Sequence, residues 1–172
     1  MAQQEQPPEI VVVMDASAVI NLIHAEFLAL LDSLPPYRFV IPDHVAAEVT
    51  DAEQSEKLTA AIAAGHAQVV PVTDPDALST FSELTQVMGR GEAASLALAQ
   101  SMGSYIACDE NKGPFRRESL KRLGESRVLN TQSIILHAVK LQRISVERAD
   151  QAKATLEANR YKMDFHSFRD LL

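Results

Sequence analysis

The sequence predicts an α/β fold, a three-layer α/β/α sandwich built on a central, mainly parallel sheet. Three observations lead there. Short apolar, β-branched runs such as Ile10–Met14 (IVVVM) read as strands buried on both faces. Longer segments with apolar residues at helical spacing lie between them. Strand and helix then alternate along the chain, and parallel strands joined by helical crossovers cover both sheet faces. At 172 residues and 47% apolar, the chain suffices for one domain, 1–172, with a sizeable core, and is too short for two ordinary ones.

Each element follows in order. Residues 1–8 are expected to form a flexible N-terminus, and Ile10–Met14 is the first strand. From Ser17, the spacing of Val19, Leu22, Ile23, Phe27 and Leu30 predicts a helix that Pro35 and Pro36 stop. Residues 38–41 make a second strand, and Pro42-Asp43 starts a helix holding Val45, Glu48 and Val49. Helical character continues over 58–64, up to Gly65. Residues 68–72 alternate weakly, as a strand that Pro71 assigns to a sheet edge. Asp74-Pro75 opens a helix through Leu84. After Gly89-Arg90-Gly91-Glu92, the Ala/Leu-rich stretch 93–102 is strongly helical. Strands are expected at 105–108 and 127–129, and helices at 131–142 and 146–158. The tail 160–172 is expected to be helical, with Ser167 capping a last short helix whose Phe168, Leu171 and Leu172 pack on the domain or on a partner.

Composition removes several function classes. One cysteine, Cys108, permits no internal disulfide, and no Cys-x-x-Cys or Cys/His cluster suggests structural zinc. The start MAQQEQPPEI has no positive n-region, and its apolar run is too short for a signal peptide or membrane span. The expectation is a cytoplasmic protein with no membrane association. Net charge −7 argues against a generally basic nucleic-acid coat. That average hides an asymmetry. Residues 1–111 hold 16 acidic and three basic side chains, a net −13, whereas residues 112–172 hold seven acidic and 13 basic, a net +6. Six of the eight charged groups in 112–127 are positive, enough to attract phosphate beside a functional cleft or simply to solvate a helix face.

Four carboxylates stand at informative places. In an open parallel sheet the working site lies beyond the carboxyl ends of the strands, where strand order reverses. Asp15 directly follows the first strand and Asp109 directly follows the YIAC strand. Glu92 opens the helix after Gly91, and Glu48 lies in the helix after the second strand. An oxygen-only set without adjoining Lys or Arg suits Mg²⁺ or Mn²⁺, and metal-activated water on such a set hydrolyses phosphodiesters. Each acid also has a plain structural role: Asp15 and Asp109 as helix caps, Glu92 as a partner of its helix dipole, Glu48 as a solvated surface acid.

The series VVVMDASAVINLI (Asp15), VIPDHVAAEV (Glu48), MGRGEAASLALA (Glu92) and SYIACDENKG (Asp109) resembles the PIN-domain ribonucleases. The likeness is to toxin-like members of the VapC kind that carry a G-x-G-E motif, and it covers order and spacing over residues 10–113. By that resemblance Asp15, Glu48, Glu92 and Asp109 are the catalytic, metal-binding acids, with Ser17 and Asn111 as neighbours of the site. It further implies a metal-dependent endoribonuclease acting on RNA, a homodimer, and an antitoxin protein that blocks the cleft. Asn111 stands where many relatives carry another acid, and Pro114 interrupts a stretch that relatives continue as helix with an Arg. Arg116 or Arg117 takes that part. Lys112, Arg116, Arg117, Lys121 and Arg122 are the candidate RNA-binding residues.

Competing readings are weaker. Gly89, Gly91 and Ala94 fit G-x-G-x-x-A, but a dinucleotide-binding turn must follow a strand, and residues 81–88 read as helix and loop. An aspartyl-phosphate phosphatase needs a second Asp where Ser17 stands. His24, His44, His66, His137 and His166 are scattered without ligand spacing, and Cys108 reads as a small core residue. A catalytically inactive module that keeps the fold and binds RNA or protein is the remaining alternative.

Overall fold

Val12 and Val13 are adjacent, both fully buried, and belong to different hydrophobic clusters. Successive strand residues point to opposite faces, so this strand is covered on both. The computed structural model describes residues 8–172, and the expected flexible stretch 1–8 lies, except for Pro8, outside the described residues. Strands β1 (Ile10–Met14), β2 (Tyr37–Pro42), β3 (Gln68–Val70), β4 (Tyr105–Ala107) and β5 (Val128–Leu129) form one sheet in the order β3-β2-β1-β4-β5. Every pairing is parallel, with Val12 opposite Phe39 and Tyr105, and Met14 opposite Ala107. Pro71 falls just past β3, which is an edge strand as the sequence predicts.

Helices complete the other two layers: α1 (Ala16–His24), α2 (Asp43–Glu48), α3 (Ala52–Ala63), α4 (Pro75–Leu84), α5 (Arg90–Ser101), α6 (Gly113–Leu123), α7 (Thr131–Lys140) and α8 (Val146–Ala158). Val12, Met14, Phe39 and Ile41 pack against α1, α3, α7 and α8. Val13, Val40 and Ile106 pack on the opposite face against α4, α5 and α6. Ala93, Ala94, Ala97 and Ala99 of α5 are all fully buried. Small side chains let that helix lie close to β1, β2 and β4, which explains why its alanines show little amphipathic pattern in the sequence. Among the described residues no helix is long and apolar enough to cross a membrane.

Three expectations are corrected. The first helix does not run to Leu30: it ends at His24, Glu26 takes φ +59°, and Leu28–Ser33 continues as a 3₁₀ helix. The Phe27 amide closes back on Leu22 O at 2.9 Å, ending the helix although the apolar spacing continues. Pro114 does not interrupt a helix; it lies in the first turn of α6, where its missing N–H is not needed. The tail 160–172 is not a continuous helix. Only Phe168–Leu171 forms a 3₁₀ turn, capped by Ser167 as expected, with Phe168 fully buried and Leu172 64% exposed.

Candidate active site

Chain order reverses between β1 and β4, since β1 leads outward through β2 to β3 and the chain then returns to the far side of β1. Connections leaving the carboxyl ends of these two strands diverge and open a crevice. Asp15 follows β1 directly, and Asp109 stands two residues past β4. Their backbones are tied together. Asp15 N donates to Ala107 O (3.0 Å), Asp109 N donates to Ser17 Oγ (3.2 Å), and Ser17 Oγ donates to Asp15 Oδ2 (2.8 Å).

Asp15 does cap α1, accepting from Ser17 N at 3.3 Å, and it faces the crevice as well. The residue is only 5% exposed. Burial pushes its carboxyl above the ordinary value, the Ser17 hydrogen bonds oppose this, and the charge of Glu92 adds to it. Asp109 does not cap the helix that follows it. Thr131 N donates to its Oδ1 (2.7 Å), while Thr131 Oγ1 and Asn21 Nδ2 (2.7 Å) donate to its Oδ2. This carboxylate sits on the first turn of α7, where unpaired amides and the helix dipole favour an anion, and it pins β4 to α1 and α7.

Glu48 ends α2 and crosses to α5, its Oε1 accepting from Gly91 N at 2.8 Å. A Cβ on Gly91 would collide with the Glu48 carboxylate. The second glycine of GRGE therefore leaves room for a carboxylate from another element. Glu92, in the third position of α5, accepts from Gly89 N at 3.0 Å, and Gly89 has no side chain with which to complete a capping box. Burial pushes the Glu92 carboxyl up, and Glu110 and Glu48 add repulsion.

With Glu110, these four acids line one open cleft of about 610 Å³. None of the five makes an ion pair among the described residues. A cavity of about 620 Å³ at the opposite end of the strands is different, because its acids Glu9 and Asp32 meet Arg38 (2.8 Å) and His66 (3.1 Å). Uncompensated, partly desolvated oxygens fit a hard divalent cation, which removes their mutual repulsion. Among the described residues, however, no three His, Cys, Asp or Glu side chains stand close enough to form a ready-made ligand group.

A family model described as a PIN domain matches residues 11–170. The chain belongs to the PIN-domain family. No curated protein matches it. Among solved structures, the crystal structure of VapBC2 from Rickettsia felis bound to a DNA fragment from their promoter is similar over 70% of this chain and 98% of that one. The identity is 11% and the TM-score 0.49.

In this PIN domain, Asp15, Ser17, Glu48, Glu92 and Asp109 all border the one cleft. Asn111 does not. It is exposed and outside the lining, and Glu110 stands there instead, near enough to Glu92 to raise its carboxyl by repulsion. Lys112, Arg116, Arg117, Lys121 and Arg122 lie on or just before α6, and none of them lines the cleft. Arg122 is engaged by Glu83 (2.7 Å), Glu118 (3.0 Å) and Gln100 (3.1 Å). Cys108 is buried in the core, and burial pushes its thiol up to about 12, so it is not a nucleophile at neutral pH.

Sequence reasoning missed Asn21, Thr131, Arg160 and Tyr161. Asn21 could have been found as a polar residue four positions after Ser17 on the same helix face. Arg160 and Tyr161 reach the cleft from the far end of the chain, which no local pattern reveals. Burial and the neighbouring Asp109 carboxylate push the Tyr161 phenol above its ordinary value.

Proposed function

We propose that this PIN domain is a divalent-metal-dependent endoribonuclease that hydrolyses RNA phosphodiester bonds, with Asp15, Glu48, Glu92 and Asp109 holding Mg²⁺ or Mn²⁺. The observation that carries the reading is the convergence of these carboxylates, drawn from four separate elements, on one cleft where no basic partner neutralises them. A bound divalent cation supplies Lewis-acid activation of water and charge neutralisation at the phosphate.

The chain's own residues prepare the site. Asp109 is fixed by three donors, so its carboxylate needs no reorganisation. Ser17 sets the spacing of the two aspartates by donating to one and accepting from the other's amide. Asp15 and Glu92 are held in surroundings that penalise their charge, which favours taking up a compensating cation over remaining bare. Glu48 is braced by the α5 amide of Gly91.

The order of the four acid motifs, with the G-x-G-E sequence, supports the further reading that the protein is the toxin of a toxin–antitoxin pair. In that reading it forms a homodimer, and an antitoxin protein covers the cleft. A catalytically inactive PIN module that binds RNA or protein is the second reading, favoured by the lack of any ready-made set of three ligands among the described residues.

Cleavage of structured and unstructured RNA by purified protein with Mg²⁺, Mn²⁺ or chelator, beside Asp15→Asn and Asp109→Asn, separates the two. Metal-dependent cleavage lost in both variants is expected. Metal binding by a folded wild type without cleavage of any RNA supports the inactive module.

A further inference from the structure

The acidic cleft poses an electrostatic problem that its carboxylates cannot solve. RNA is a polyanion, and even a cation-loaded cluster of five acids leaves the approach to it short of positive charge. The basic residues of α6 do not line the cleft, and Arg122 is already engaged by carboxylates and Gln100. Arg160 does line it. Among the described lining residues it is the one Lys or Arg, it is exposed, and it makes no ion pair with any described residue.

Its placement is fixed by how α8 ends. Arg160 N donates to Glu157 O (3.1 Å) and Tyr161 N to Leu156 O (2.9 Å), the two bonds of a Schellman motif, with Arg160 in its left-handed position at φ +70°. Leu156 is fully buried and Tyr161 stands beside Asp109, so the turn is anchored on both sides of the arginine. Backbone preference at this position favours glycine, as at Gly65 and Gly103, which end α3 and α5 in the same way. Glu26 and Gln142 occupy the equivalent position after α1 and α7, so left-handed backbone alone says nothing about function. Arg160 differs from both in facing the carboxylate cleft.

We infer that Arg160 grips a phosphate of the RNA strand lying in the cleft, so that the turn ending α8 supplies the substrate contact that the acidic half of the chain lacks. This assignment rests on the nuclease reading. The guanidinium fork matches two phosphate oxygens, and its free position leaves both donor edges available. A guanidinium at the rim meets the backbone without sequence preference.

The test uses the full chain and a fluorescently labelled, short single-stranded RNA. Anisotropy is recorded in Ca²⁺ buffer across a salt series for wild type, Arg160→Gly and Arg160→Lys, with a melting curve for each. Arg160→Gly should fold with an unchanged or higher Tm, because glycine relieves the left-handed backbone, yet bind RNA about tenfold more weakly. The slope of log affinity against log salt should fall by about one, and Arg160→Lys should recover part of both. A merely structural residue moves the Tm and leaves the salt slope alone. Equal RNA binding by wild type and Arg160→Gly overturns the assignment and leaves the nuclease reading standing. Tighter metal binding by Arg160→Gly with unchanged RNA affinity overturns it too, making the arginine a counter-ion of the acids. If the wild type itself neither binds nor cleaves RNA, the nuclease reading fails and Arg160 loses this role with it.

Discussion

Asp15 and Asp109 bear the same charge in the same cleft, but their surroundings call for opposite responses to its removal. Asp15 is buried, held above its ordinary carboxyl value by desolvation, and caps α1. Asparagine caps a helix as well as aspartate does, so Asp15→Asn keeps the cap and relieves a desolvated charge. Its Tm should rise, by roughly 2–4 °C for each kcal/mol gained in a domain of this size. RNA cleavage should meanwhile fall about 10²-fold or more. Asp109 accepts from three donors, and an amide there turns one acceptor into a donor facing other donors. Asp109→Asn should lose cleavage and also about 1–3 kcal/mol of stability. Gly91 supplies a third case. An added Cβ meets the far end of the flexible Glu48 side chain, which can swing away, so Gly91→Ala should fold with a stability loss of only about 1 kcal/mol. The displaced Glu48 leaves the cleft, and the metal concentration needed for half-maximal cleavage should rise.

At the scale of elements, the cleft depends on how the last helix and tail dock. Asp150 of α8 accepts from Ser167 Oγ (2.7 Å) and Phe168 N (2.8 Å), holding the C-terminal 3₁₀ turn against the helix whose end carries Arg160 and Tyr161. Partial burial pushes the Asp150 carboxyl up, but the bonds from Phe168 and Ser167 outweigh it, and the net shift is downward. A carboxyl lowered in the folded state stabilises above its unfolded value of about 3.9 and loses that contribution as pH falls through the lower folded value. Asp150→Asn should therefore release the tail to proteolysis at neutral pH, while the difference in cutting rate between wild type and variant should shrink as pH falls through the lowered folded value.

Over the whole molecule, charge is divided along the chain. The acids that line the cleft come from the first 110 residues, while the arginine that lines it enters from residue 160. A cluster without basic partners is stabilised by whatever cation it binds, so melting curves should show this directly. Mg²⁺ or Mn²⁺ at a hundredfold excess over Kd should raise the Tm by about 5–10 °C relative to Na⁺ at matched ionic strength, and chelator should reverse it. Asp15→Asn should lose most of that response.

The sequence by itself determined the alternation of strands and helices, the edge position of β3, and the places of Asp15 and Asp109 beyond β1 and β4, because buried strands and the carboxylates that follow them are written in adjacent residues. Local signals also misled where they continued past a real boundary. The apolar spacing through Leu30 does not register that the Phe27 amide turns back to Leu22, and the resemblance that put Asn111 beside the site passed over Glu110, which lines the cleft. Only the tertiary structure decided why Gly91 is a glycine, since the group filling its space is Glu48, 43 residues earlier. It alone set Thr131 behind Asp109, brought Arg160 and Tyr161 to the cleft and left the basic helix α6 outside its lining. Contacts made by chain reversal across a sheet join residues far apart in sequence, and no periodicity within one segment encodes which of them will meet.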